Sequence, residues 1–122
     1  MLIEIDFDSE EALYIQLRNQ IVLGIATNQY QEGESLPSVR QLAERIGINM
    51  HTVNKAYHVL RQEGFIRLDR RNGAVVFLEA DKARAIQELP EALGVALARA
   101  VCKDISREEV HQAVDQIFDE YE

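Results

Sequence analysis

A chain of 122 residues, 47% of them apolar, has room for one domain with a real core, or for a small domain with an added element. Its single cysteine, Cys102, excludes an internal disulfide and a cysteine-based zinc site, and no apolar run is long enough to cross a bilayer. The N-terminus MLIEIDFDSEE lacks the basic-then-apolar order of a secretory signal, which places the chain in the cytoplasm, and a formal charge of −8 speaks at first against a nucleic-acid partner.

The first periodic segment is SEEALYIQLRNQIVLGIATNQYQEG, where Leu13, Leu17, Ile21 and Ile25 recur at helical spacing. Asp8 or Ser9 is the expected cap, Asp8 and Glu11 have capping-box spacing, and the helix is expected to fade near Tyr30. A second helix opens at Leu36-Pro37-Ser38. Proline holds the preceding residue extended, Ser38 caps, and Gln41 completes a capping box. Val39, Leu42, Ala43 and Ile46 form its apolar stripe, and Gly47 supplies a left-handed stop.

The chain restarts with Asn49 as cap of a third helix over about 50–63. Val53, Ala56, Tyr57 and Leu60 share its inner face, and Gly64 ends it. Two short helices around a glycine turn make a helix-turn-helix. After Gly64 the period drops from 3.6 to 2: FIRL, DRRNG and AVVFL read as two strands about a turn, with Gly73 at positive φ. A helix-turn-helix followed by a hairpin is a winged helix, and here the wing tip carries Arg70 and Arg71.

From Glu79 onward the pattern is helical again, with Ile86, Leu89, Leu93, Leu97 and Val101 in one stripe. Pro90 predicts a kink, or a break and restart. Asp104-Ile105-Ser106 connects to a last helix, capped by Ser106 with Glu109 and carrying Val110, Val114, Ile117 and Phe118. Two such helices are too few to enclose a core of their own, so their stripes predict a homodimer made through this tail; packing onto the winged helix of the same chain is the alternative. The expected fold is mainly α with a small β-hairpin: a winged helix-turn-helix DNA-binding domain over 1–78 and a two-helix dimerisation region over 79–122.

Charge counted by region removes the objection to DNA. From Ser38 to Gly73 seven basic and three acidic residues give +4, which against the total of −8 leaves −12 for the rest. The local field, not the total, steers a polyanion. A recognition helix reads base edges from its first turns. At that end stand Asn49, Met50, His51, Thr52, Asn54 and Lys55. Asn suits adenine, Thr suits phosphate or the thymine methyl, and Lys neutralises phosphate. Arg40, one turn into the preceding helix, is placed for backbone or guanine.

LYIQLRNQI, LPSVRQLAERIGIN, TVNKAY and LRQEGFI together resemble the winged-helix domain of the GntR transcription regulators, over roughly positions 9–78. The resemblance implies that Arg40, from the LPSxR motif, contacts DNA, and that Met50, His51, Thr52 and Asn54 supply base and phosphate contacts. Family members often carry Arg or Ser-Arg just before the Thr, where this chain has Asn49-Met50-His51. They commonly show G-x-G at the wing, where Arg71-Asn72-Gly73 keeps only the second glycine. The short two-helix tail resembles the YtrA-like branch of small dimeric repressors; the large effector domains of other branches find no counterpart in the residues present.

The reading is therefore a homodimeric repressor on an inverted-repeat operator in double-stranded DNA, contacted by Arg40, Asn49, Met50, His51, Thr52, Asn54, Lys55, Arg70, Arg71, Asn72 and Gly73. A winged helix used only for protein–protein contact is the alternative that the acidic total favours. No catalytic set, metal site, cofactor or membrane association is expected. His51, His58 and His111 stand beside no catalytic motif, and Cys102 reads as a packing thiol. A small-molecule effector is left open, since no residue names one.

Overall fold

A computed structural model describes residues 3–122. The order is α1 (Leu13–Ala26), α2 (Val39–Ile46), α3 (Met50–Gln62), β1 (Ile66–Asp69), β2 (Gly73–Val76), α4 (Lys82–Cys102) and α5 (Arg107–Tyr121). The chain divides into two compact units, Met1–Glu79 and Ala80–Glu122. Among the described residues no helix is long and apolar enough to cross a membrane.

In the first unit α1, α2 and α3 enclose a core of Leu17, Ile21, Tyr30, Leu36, Leu42, Ala43, Val53, Ala56, Tyr57 and Leu60, closed by Ile66, Ala74 and Val76 of the hairpin. The predicted inner faces of α2 and α3 are the faces that are buried, because helical periodicity fixes them before any tertiary contact forms. Ser38 caps α2 in a two-way box: its Oγ accepts from Gln41 N at 3.1 Å, and Gln41 Oε1 accepts from Ser38 N at 3.1 Å. Gly47, at φ 71°, ends α2 in the left-handed region, and Asn49 Oδ1 caps α3 by accepting from His51 N at 2.7 Å.

α1 departs from its predicted ends. It starts at Leu13 behind Ala12 and has no side-chain cap; the Asp8/Glu11 box does not form. Ser9 Oγ instead accepts from Glu11 N in a local turn, and the side chains of Gln16 and Gln20 clamp the extended arm. Gln16 Oε1 accepts from Asp6 N and its Nε2 donates to Asp6 O, while Gln20 makes the same pair with Glu4. The arm is thus bound as a neighbouring strand would be, which leaves Asp8 away from the helix end. At the other end α1 stops at Ala26, not near Tyr30. Asn28, at φ 62°, reverses the chain. The Tyr30 ring then packs where a Cβ on Gly24 would come within 2.2 Å of it.

The hairpin is antiparallel, pairing Ile66 with Val76 and Asp69 with Gly73, whose φ is 70° as predicted. It has an unpredicted third edge: Ser35 bridges Val75, with Leu36 N donating to Ala74 O and Val76 N to Glu34 O. The break expected at Pro90 does not occur, and α4 runs unbroken from Lys82 to Cys102. Good helix formers on both sides of the proline offset its one missing hydrogen bond. Ser106 and Glu109 form the predicted capping box of α5. Neither α4 nor α5 has a buried residue, and Ile86, Leu89, Leu93, Leu97 and Val101 are all exposed.

One buried polar group ties the helix-turn-helix to the turn before it. Tyr57 Oη donates to Pro37 O at 2.7 Å. Burial, with the Tyr30 phenol beside it, pushes its pKa well above the ordinary tyrosine value. The phenol therefore stays a donor at any working pH. Tyr57→Phe is expected to cost about 1 kcal/mol in urea unfolding, the net worth of one hydrogen bond. Because the folded pKa is raised, this stability is present in full below the unfolded value of 10.0 and is lost as pH climbs beyond it. The phenylalanine variant should lack that alkaline slope.

Candidate nucleic-acid interface

The surface begins with what each helix start can present. α2 starts in a proline-set, serine-capped turn, so its second residue, Arg40, is exposed within the first turn of the helix. α3 starts behind the Asn49 cap, and its unburied face runs through Met50, His51, Asn54, Lys55, His58 and Arg61. These positions lie three or four apart, on one side of the helix, opposite Val53, Ala56, Tyr57 and Leu60. Thr52, at the same end of α3, is not fully exposed. It is half-buried on the margin next to Ala56, because that margin faces α1.

Three shallow concavities run along this face. One is walled by Val39, Asn49, Met50, His51 and Asn54. A second joins α2, α3 and the wing through Val39, Asn54, Lys55, His58, Arg61 and Leu68. The third joins α3 to α1 through Leu13, Tyr14, His51, Thr52 and Lys55. There Lys55 Nζ sits 4.1 Å from the centre of the Tyr14 ring, a cation–π contact that holds a flexible ammonium at the mouth of the concavity. The structure thus brings Asn49, Met50, His51, Thr52, Asn54 and Lys55 onto adjoining hollows of one helix face.

The wing tip is built by Asp69. Its Oδ1 accepts from Arg71 N at 2.8 Å and Asn72 N at 3.3 Å, so the turn DRRNG is held from its first residue. Those two backbone donors hold the Asp69 carboxyl below the usual carboxylate range. Arg70, Arg71, Asn72 and Gly73 are exposed at this tip. Arg67, two residues before Asp69 on β1, is turned onto the Phe77 ring at 4.9 Å and serves the base of the wing.

Several of these residues were not singled out from sequence. His58 and Arg61 continue the spacing of His51 and Asn54, so helical periodicity places them on the outward side of α3, though they were not counted among the DNA contacts. Asp69 has a local signal too, since an Asp carboxylate that accepts from the backbone amide two residues on makes an Asx-turn. Tyr14 has none, because it comes from another helix and only packing brings it to Lys55. Among the described residues no group of three or more His, Cys, Asp or Glu is placed to hold a metal ion.

Residues 10–76 match the family model for bacterial regulatory proteins of the gntR family. The HTH-type transcriptional regulator Rv1152 of Mycobacterium tuberculosis is 31% identical over 103 residues, covering 83% of this chain and 84% of its own. YtrA of Sulfolobus acidocaldarius, a GntR-family transcription factor of solved structure, is 38% identical with a TM-score of 0.64 over 77% of this chain and 99% of that one. A solved protein of Listeria monocytogenes EGD-e, described as a transcriptional antiterminator, reaches a TM-score of 0.85 at 28% identity over 96% of this chain and 90% of that one. The matched segment holds the capped α2, the glycine turn, the exposed face of α3 and the wing together, and on those grounds this chain belongs to the gntR family of bacterial regulatory proteins, as a YtrA-like winged helix-turn-helix transcription regulator.

Proposed function

We propose that this regulator is a homodimeric repressor, working in the cytoplasm, that holds two recognition helices against an inverted-repeat operator. α3 enters the major groove with Asn49, Met50, His51, Thr52, Asn54 and Lys55. Arg40 meets backbone or guanine from α2, and Arg70, Arg71, Asn72 and Gly73 meet the adjacent phosphates from the wing. The observation that carries this reading is the unburied polar face of α3, set between basic residues of α2 and of the wing. Half-sites are then centred about 10 bp apart or a multiple of that. Footprinting across its own promoter tests the reading. Protection of two symmetric half-sites, with affinity falling steeply as salt rises, is expected. Salt-insensitive or absent binding would sink it in favour of a protein–protein module. The chemistry required is binding alone, and no step of it is catalytic.

The tail supports the dimer. Its α4 stripe of Ile86, Leu89, Leu93, Leu97 and Val101 is exposed along about four turns, a form of surface that soluble chains cover with a partner. Leu97→Asp is expected to give a monomer by sedimentation while α2 and α3 keep their stability. A dimer of unchanged strength would move the interface elsewhere.

Tyr14 is expected to act through Lys55. Tyr14→Leu should weaken duplex binding about two- to fivefold, the worth of an exposed cation–π contact. Tyr14→Phe, which keeps the ring, should bind as the parent does. In a Lys55→Met background the Tyr14→Leu change should have no further effect, whereas additive losses would make Tyr14 a packing residue only.

A further inference from the structure

The start of the recognition helix carries an apolar element that its polar surroundings do not explain. Met50 is the first residue of α3 and is 45% exposed. With Val39 of α2 it walls a concavity of about 660 Å³ whose other sides are Asn49, His51 and Asn54. Met50 belongs neither to the core nor to the residues packed against it. An acidic residue at this position would serve the helix dipole better. The fold itself thus asks for no thioether here.

The neighbours say what does. Asn49 spends its Oδ1 on capping, at 2.7 Å from His51 N. Asn54 has no hydrogen-bond partner among the described residues, so its amide offers a donor and an acceptor to a ligand. That pair matches the N6 and N7 edge of adenine in the major groove. The thymine methyl is the one apolar group that the same groove displays. Residues 50 and 54 are four apart, so they share a helix face at about 5–6 Å, one to two base-pair steps of roughly 3.4 Å.

We infer that Met50 and Val39 form a methyl-reading notch: each operator half-site carries a thymine whose 5-methyl is buried against these two side chains, within a step or two of an adenine held by Asn54. The inference rests on α3 being the recognition helix and adds the base class that its first turn selects. Met50 neither donates nor accepts a strong hydrogen bond, so this position discriminates by methyl burial rather than by polar pairing.

The test is to select operator sequences from random duplex DNA with the full chain, then replace each half-site thymine singly by deoxyuridine. One thymine in each half-site should lose about fourfold in affinity, the worth of one buried methyl group. Met50→Ala should abolish that methyl sensitivity, and Met50→Leu should keep it. Because Met50 is outside the core, unchanged thermal melting shows that both variants fold. Half-sites in which no thymine responds, or a Met50→Ala protein that still senses the methyl, would overturn the inference while leaving the regulator intact. Selection that recovers no sequence at all, with no salt-sensitive binding, would remove the proposed function and this inference with it.

Discussion

Arg40→Ala is expected to weaken operator binding about ten- to a hundredfold, matching the roughly 1–3 kcal/mol of a good bidentate contact. The same change leaves the fold as stable as before, or slightly more so. Arg40 lies in the first turn of α2, where the helix dipole is positive and an arginine is unfavourable by about 0.3–1 kcal/mol. It has no ion pair or hydrogen bond among the described residues that would offset this. A phosphate or base edge at the same place turns the liability into an attraction, since dipole and guanidinium then act together on the anion. Titration of labelled operator gives the affinity, and thermal melting gives the stability. A variant that loses binding and melts early in parallel would show that Arg40 is structural.

Leu60→Ala lowers the stability of the first unit by about 2–5 kcal/mol, as truncation of a fully buried leucine does. Leu60 is 0% exposed on α3, the helix that touches α1, α2 and β1. Truncation there opens a cavity that all three neighbours would have to move to fill. Against a typical total of roughly 5–15 kcal/mol, the loss is a large fraction. Urea unfolding should show a lower midpoint at an unchanged slope. DNA binding should fall only in conditions where the unfolded fraction becomes appreciable, which separates this variant from Arg40→Ala.

The first variant isolates a surface contact and the second a packing contact on adjoining helices. Leu60 belongs to the inner face of α3, whose outer face runs from Met50 to Arg61, and Arg40 is exposed on the neighbouring α2. Groove recognition needs that separation.

Much of this was legible in the residues. The caps of α2, α3 and α5, the left-handed glycines at 47 and 73, and the buried faces of α2 and α3 are local features. They arise from hydrogen bonds within three or four residues and from a period of 3.6, so they need no distant contact to form. The regional charge that makes an acidic chain fit for DNA is likewise a property of sequence order.

What the residues did not disclose depends on partners far along the chain. α1 lost its predicted cap because Gln16 and Gln20 bind the arm at residues 4 and 6. Its early stop follows from Asn28 reversing the chain, which lets Tyr30 close over Gly24. Ser35 became a third strand edge only when the hairpin offered Val75 to it. Tyr14 reached Lys55, and Val39 reached Met50, across helix–helix contacts. The sequence by itself determined which helices form, which face of α2 and α3 turns inward, and where the basic stretch lies, because short-range geometry decides those. Tertiary packing alone decided which groups from other helices stand beside the recognition surface, because side chains separated by tens of residues meet only after the core has closed.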